Sequence, residues 1–191
     1  GEDLSAPYSI NWRNVTSGNY SLTAVATDNN TGSAISTPVH ISIAEMCVAS
    51  GSITREYWTG VSGNLVSSIP LRETPDGSAL LSLFEGPDAG INYGARISGY
   101  LCPPATGDYH FWIASNDHSE LWLSTDDQEQ NKVRIASVTG ATNPRQWTKF
   151  PSQKSVAIRL TQGRSYYIEA LHKQGIGTDH VSVGWQLPDG T

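Results

Sequence analysis

The feature that most restricts this chain is the shortness of its apolar runs. Across residues 53–187, β-branched, aromatic and aliphatic residues alternate with polar ones for a few positions at a time, until a turn signal such as "PATGD", "TQGR" or "KQGIGTD" interrupts them. A period of two is that of a strand buried on one face, and runs this short build no helix of ordinary length. With 18 Gly and 10 Pro to make turns, the chain is expected to be all-β, an antiparallel sandwich or barrel on one core. The expected strands are Ile53 to Trp58, Leu80 to Phe84, Ala95 to Leu101, Tyr109 to Ser115, Glu120 to Ser124, Lys132 to Ala136, Val156 to Leu160, Ser165 to Leu171 and Val181 to Leu187. There is no internal repeat and no convincing helix.

Ahead of this pattern lies a different one. "PYSINW", "GNYSLTAVATD" and "TPVHISI" read as three strands parted by "SGN" and "NNTGS", and in the middle run Tyr20, Leu22, Ala24 and Ala26 share one face. Three strands cannot enclose a sandwich core, which takes about seven. Residues 1–44 therefore read as one unit and residues 45–191 as a second, joined by a short linker.

Charge excludes some functions. The formal net charge is -6 and Lys and Arg never form a run, so nucleic acid would be repelled rather than held. No stretch approaches the roughly 18 apolar residues of a membrane span, and "GEDLSAPYS" is no targeting signal. The spacing of Cys47 and Cys102 matches no metal motif. One disulfide is the favoured reading, with two buried thiols as the alternative. No nucleophile-elbow, H-E-x-x-H or phosphate-loop motif occurs. Asp117 with Glu120 or Asp179 has the makings of a glycosidase carboxylate pair, but every acidic surface offers such pairs. The chain itself is accordingly expected not to be an enzyme.

The stretch "FWIASNDHSELWLSTDD", residues 111–127, carries the chemistry. Tyr109, Phe111 and Ile113 fall on one strand face and Leu121 and Leu123 on the matching face of the next, as in the core side of a hairpin. Trp112 and Trp122 lie opposite, where they could pair across strands or be covered by a loop, and burial is expected ahead of sugar contact. Asn116 and Asp117 are adjacent, and on a regular strand adjacent side chains diverge. Joint work on one ligand requires a tight turn or a cis peptide bond between non-proline residues. Asp126 and Asp127 read as a solvated loop. His172 and His180 match no zinc spacing. His118, at the tip, and Trp147, in the polar loop "NPRQWTKFPSQ", are candidate ligand contacts, Trp147 by stacking on a sugar ring or else by packing its loop to the core.

Two resemblances follow from these motifs. "APYSINWRNVTSGNYSLTAVATDNNTGSAISTPVHISI" resembles the closing part of bacterial immunoglobulin-like domains found beside catalytic modules in secreted polysaccharide-degrading enzymes, which implies a partial Ig-like β-sandwich and a fragment cut inside it. "REYWTGVSGNLVSSIPL", "GYLCPPATGDYHFWIASNDHSELWLSTDD", "NPRQWTKFPSQKS" and "GRSYYIEALHKQGIGTDHVSVGWQLPDGT" together resemble the protective-antigen-type, or PA-fourteen, domain over residues 51–191.

That family implies a twisted β-sandwich or barrel that in several members binds carbohydrate through calcium. Its lectin-like members place two consecutive aspartates joined by a cis peptide where Asn116 and Asp117 stand here. The resemblance makes Asp117 a calcium ligand and a sugar acceptor, with Asn116 replacing the first aspartate. Asp179, in the late loop of Lys173 to Asp179, would restore the lost charge. Asn116, Asp117, His118, Trp147, Gln174 and Asp179 are thus the expected carbohydrate contacts, Asn116, Asp117 and Asp179 the expected calcium ligands, and Cys47–Cys102 the disulfide that closes the domain. The expected function is a noncatalytic carbohydrate-binding module of a secreted or surface-bound bacterial adhesin or polysaccharide-degrading enzyme, partnered by a glycan and a tethered catalytic domain. The alternative is a structural spacer with no ligand.

Overall fold

The computed structural model describes residues 2–43 and 47–191. It divides into two compact units, of which the second begins at Cys47; the expected boundary at 44/45 lies outside the described residues. The first unit contains β1 (Gly18–Leu22), β2 (Val25–Thr27), β3 (Ser33–Ile35) and β4 (Val39–Ile43). β1 pairs antiparallel with β4, and β2 with β3. The long middle run expected as one strand is therefore two, parted at Thr23 and Ala24; "SAI" is an additional strand, and "PYSINW" is none. Leu22, Ala24 and Ala26 are exposed rather than gathered on a core.

The second unit holds ten strands. They are β5 (Ile53–Trp58), β6 (Gly77–Leu81), β7 (Glu85–Gly86), β8 (Tyr93–Leu101), β9 (Gly107–Asn116), β10 (His118–Ser124), β11 (Lys132–Val138), β12 (Ile158–Leu160), β13 (Tyr166–Gln174) and β14 (His180–Gln186). Between them the described residues form only three short 3-10 turns, at Val66–Ser68, Glu129–Asn131 and Pro151–Gln153. One sheet has six strands in the order β11-β10-β13-β8-β5-β6; the other has four, β12-β9-β14-β7.

Alternation decides what lies between the sheets. Tyr109, Phe111 and Ile113 of β9 and Leu121 and Leu123 of β10 are buried as expected, joined by Ile97, Val138, Leu160, Ile168, Ala170 and Val181. A second apolar cluster sits on the outer face of the six-stranded sheet, where Leu171 of β13 meets Trp58, Val61, Val66 and Ile69, with Trp122 against it. Residues 59–71 thus fold over that face, and covering each such side chain contributes about 1.5 to 3 kcal/mol before chain entropy is charged. Cys47 and Cys102 form a disulfide, and Cys47 also donates its N–H to the Gly163 carbonyl at 2.8 Å.

The hairpin expected over residues 109–124 is corrected. β9 belongs to the four-stranded sheet and β10 to the six-stranded one, so the chain crosses between layers with only Asp117 separating the two strands. β9 pairs instead with β14, placing Asn116 opposite His180, while β10 pairs with β13, placing His118 opposite Lys173. The loop from β13 to β14 makes the same crossing. Two corners therefore meet at one end of the sandwich. For the same reason Trp112 and Trp122 sit on outer faces of different sheets and do not pair.

Candidate functional site

At the first corner the Asn116–Asp117 peptide bond is cis. Gln174, the last residue of β13, is wholly buried and binds both corners: its Oε1 accepts the Asp117 N–H at 2.9 Å, and its Nε2 donates to the carbonyls of Gly177 and Thr178 at 3.3 and 3.4 Å. Asp117 Oδ2 in turn accepts the Gly175 N–H at 2.9 Å. A Cβ on Gly175 would lie 3.1 Å from that oxygen and 3.3 Å from Asn64 Oδ1, so a larger residue there would press on the carboxylate. Among the described residues no hydrogen bond within the chain engages Asp117 Oδ1 or the Asn116 side-chain amide. Both residues, and His118 beside them, are half-buried. Ser115 Oγ donates to the Asp117 carbonyl at 2.6 Å and lies 2.7 Å from Ser119 Oγ, fixing the turn from within.

Behind the corner stands a buried polar layer. His172 Nε2 lies 2.9 Å from the Asn116 carbonyl, which only accepts, so this nitrogen carries the proton. Burial lowers the His172 pKa to about 4, against the opposing pull of the Asn116 hydrogen bond. Tyr93 presents its hydroxyl 3.4 Å from His172 Nδ1 and also faces Asp179; burial first, and Asp179 second, push its phenol well above the ordinary range. Arg55 packs its guanidinium 4.9 Å from the Tyr57 ring centre and 5.5 Å from that of Tyr93, and its Nη2 has no hydrogen-bond partner among the described residues. His180 Nε2 reaches the Thr142 carbonyl at 3.0 Å.

Lys173 is the residue that sequence reasoning missed. It is fully buried, and its Nζ donates to the Gln174 carbonyl at 2.6 Å. Burial lowers its pKa, while the Asp117 carboxylate pulls the other way. The sequence placed Lys173 at the start of the late loop, whereas it lies in β13 with its side chain covered by the fold, which residues beside it in the chain do not signal.

The expected residues are only partly brought together. Asn116, Asp117, His118 and Gln174 share the corner. Asp179 is in the late loop, but both its oxygens accept the Ala89 N–H, at 3.2 and 3.0 Å, and burial raises its pKa against that bond and the one from Tyr93. It anchors the segment before β8 instead of adding charge at Asp117. Trp147 lies over Gly184, its Cζ2 3.5 Å from where a Cβ would stand. Val183 and Trp185 face the core, so Trp147 rests on the outer side of the four-stranded sheet, four residues along β14 from His180. Asp126 accepts from Gln128 and Asn131 within its own loop.

Calcium takes about six to eight oxygens, several of them anionic. The corner offers one carboxylate, half engaged by Gly175, and one neutral amide. Among the described residues no three His, Cys, Asp or Glu side chains stand together as a metal cluster. This donor set does not fit calcium.

The family model described as "PA14 domain" matches residues 50–191. The chain belongs to the PA14 domain family. Solved PA14-like structures agree on the fold: a PA14 sugar-binding domain from an RTX adhesin superposes with a TM-score of 0.55 at 12% identity, covering 78% of this chain and 93% of that one. The epithelial adhesin 9 A domain from Candida glabrata, in complex with Galb1-4GlcNAc, gives 0.52 at 14% identity, covering 77% and 89%. Among curated relatives, the mouse "N-acetyl-beta-glucosaminyl-glycoprotein 4-beta-N-acetylgalactosaminyltransferase 1" is 48% identical over 100 residues, 50% of this chain and 10% of that protein. Human fibrocystin-L is 34% identical over 90 residues, 47% of this chain and 2% of that protein.

The chain thus spans a small part of the relatives it matches. The expectation that it is no enzyme, only an ancillary piece of a polysaccharide-degrading one, is corrected by the first of these relatives, which is named as a glycosyltransferase. The expected bacterial source draws no support from mammalian relatives. No helix among the described residues is long and apolar enough to cross a membrane.

Proposed function

We propose that this PA14 domain binds glycans at the corner formed by Asn116, Asp117, His118 and Gln174. The observation that carries the reading is the fixed carboxylate. Asp117 has its N–H held by Gln174 and its Oδ2 held by Gly175, which leaves Oδ1 and the neighbouring amide of Asn116 as oriented groups for sugar hydroxyls. Prearranged polar groups of this kind add affinity because little ordering remains to be done on binding. The sugar-binding domain of the RTX adhesin and the adhesin 9 domain in complex with Galb1-4GlcNAc support the class of ligand.

The likeness to a glycosyltransferase supports a second step. In this reading the domain belongs to a longer extracellular or surface-exposed protein that transfers N-acetylgalactosamine to glycans, and it holds the acceptor near the catalytic part by raising its local concentration. The test is a glycan array bearing β-galactosides and terminal N-acetylglucosamine, probed with the chain and with Asp117→Ala. Binding lost in the variant is the expected result. An array blank for both proteins overturns the reading and leaves the domain as a spacer.

A further inference from the structure

We propose that Asn14 and Asn29 of the first unit are acceptor sites for N-linked oligosaccharide, a covalent modification of the chain itself. This goes beyond the glycan-binding reading and rests only on the extracellular placement proposed with it, not on the corner at Asp117.

The pattern Asn-x-Ser/Thr, with x other than proline, occurs three times: "NVT" at residues 14–16, "NYS" at 19–21 and "NNT" at 29–31. N-linked sugar is added in the secretory route at this pattern, where the hydroxyl two residues beyond the asparagine is read by the transferring enzyme. Each unit holds five asparagines, yet all three patterns fall in the first. In the second unit Asn64, Asn92, Asn116, Asn131 and Asn143 are followed two places on by Val66, Gly94, His118, Val133 and Arg145. Attached sugar is thereby confined to the first unit. The Cys47–Cys102 disulfide suits a chain that passes through the same oxidising route.

The structure selects among the three. A bulky, hydrated oligosaccharide needs an asparagine that faces water and holds nothing else together. Asn14 is exposed at a bend, with φ at 57°, a left-handed conformation that asparagine tolerates better than most residues. Among the described residues its side chain enters no hydrogen bond. Tyr20 donates its hydroxyl to the Thr16 carbonyl at 2.7 Å and so accepts from Thr16 Oγ1 at 2.9 Å, which holds the segment without Asn14. Asn29 lies at the tip of the β2–β3 hairpin. Asp28 builds that tip: its Oδ1 accepts the N–H groups of Asn30 and Gly32, each at 2.8 Å, and its own N–H donates to the Gly32 carbonyl at 2.8 Å. Asn29 is exposed beside it and, among the described residues, its amide is likewise unengaged. Sugar on either Nδ2 displaces no contact. Asn19 differs, because it lies within β1 opposite Ser42, whose Oγ donates to its Oδ1 at 2.6 Å. It is not among the proposed sites.

The donor is an oligosaccharide joined through pyrophosphate to a polyprenol. The asparagine Nδ2 attacks the anomeric carbon, the N–C bond forms as the C–O bond to pyrophosphate breaks, the lipid pyrophosphate leaves, and the amide nitrogen gives up one proton. No oxidant or reductant takes part. The chain supplies only the acceptor.

The test is made on the full chain, expressed behind a cleavable secretion signal in cultured eukaryotic cells, beside Asn14→Gln, Asn29→Gln and the double variant. The wild-type mass is expected to exceed that of the polypeptide by two oligosaccharides, of which each single variant loses one and the double variant both. Digestion with an N-glycosidase, which leaves aspartate where sugar was attached, assigns the positions by peptide mass spectrometry. Thr31→Ala keeps Asn29 but removes the hydroxyl that the enzyme reads, and should lose the sugar at Asn29. Chain retained inside the cells is analysed in the same way, since the sugar is attached before export. A wild-type chain of unmodified mass overturns the proposal, as does sugar confined to Asn19; sugar at one proposed site alone overturns it for the other. No readout involves glycan binding, so a blank glycan array leaves this outcome untouched.

Discussion

The side chain of Asp117 accepts the backbone N–H of Gly175 at 2.9 Å, across 58 residues of sequence. That bond ties the crossing from β9 to β10 to the crossing from β13 to β14. The two corners form one end of the sandwich because each strand of one crossing pairs with a strand of the other. A ligand placed there meets groups that the sheets themselves hold in register.

Gln174 is the residue on which this tie depends. In Gln174→Ala the Asp117 N–H and two late-loop carbonyls lose their partner, and leaving buried polar groups unpaired costs about 1 to 3 kcal/mol. Urea denaturation should show that loss, and glycan binding should fall with it, since the corner is no longer fixed. A variant of wild-type stability that still binds would show the corner to be held by Gly175 alone.

Acid should weaken the second unit through His172. Its pKa is about 4 in the fold against 6.5 for the free side chain, so between those values the unfolded chain takes up the proton that the folded one refuses. The stability this residue contributes is complete above pH 6.5 and declines as pH falls toward 4, by about 3 kcal/mol in all. Asp179, whose folded pKa is raised, acts with the opposite sign. Denaturation at pH 7 and pH 4 in wild type and in His172→Gln isolates the histidine: the variant should lose less stability on acidification.

Lys132 and Glu169 supply a test on the outer face. Lys132 Nζ stands 2.8 Å from Oε1 of Glu169, whose side chain is 1% exposed, and Tyr167 donates to the other oxygen at 2.8 Å. Lys132→Met leaves a buried carboxylate without its cation, which costs about 3 kcal/mol or more. Glu169→Gln in the same chain should recover much of that loss, as read from urea midpoints.

Reduction of Cys47–Cys102, which are 55 residues apart in sequence, should lower stability by about 2 to 4 kcal/mol by freeing the unfolded chain. A Cys47→Ala, Cys102→Ala chain should melt earlier by a matching amount. An unchanged midpoint would mean that the ends of that loop are held by β5 and β8 alone.

The alternation at Tyr109, Phe111 and Ile113, and at Leu121 and Leu123, was enough to place these residues in the core, because side-chain direction along a strand is a local property. Most strands were legible for the same reason, as was the identity of the family, whose motifs are continuous in sequence. The sheet assignment was not. Nothing in "SNDHSE" says that its two flanking strands pair with β14 and β13 rather than with each other, since hydrogen-bond partners are chosen by the whole set of strands. Nor did it show that Asp179 turns to Ala89, that Trp147 rests on Gly184, or that Lys173 lies buried. The sequence by itself determined the strands and their buried faces, where neighbours along the chain fix the outcome. The charge and contacts of the corner were decided only by the tertiary structure, which sets side chains remote in sequence within reach and shields them from water.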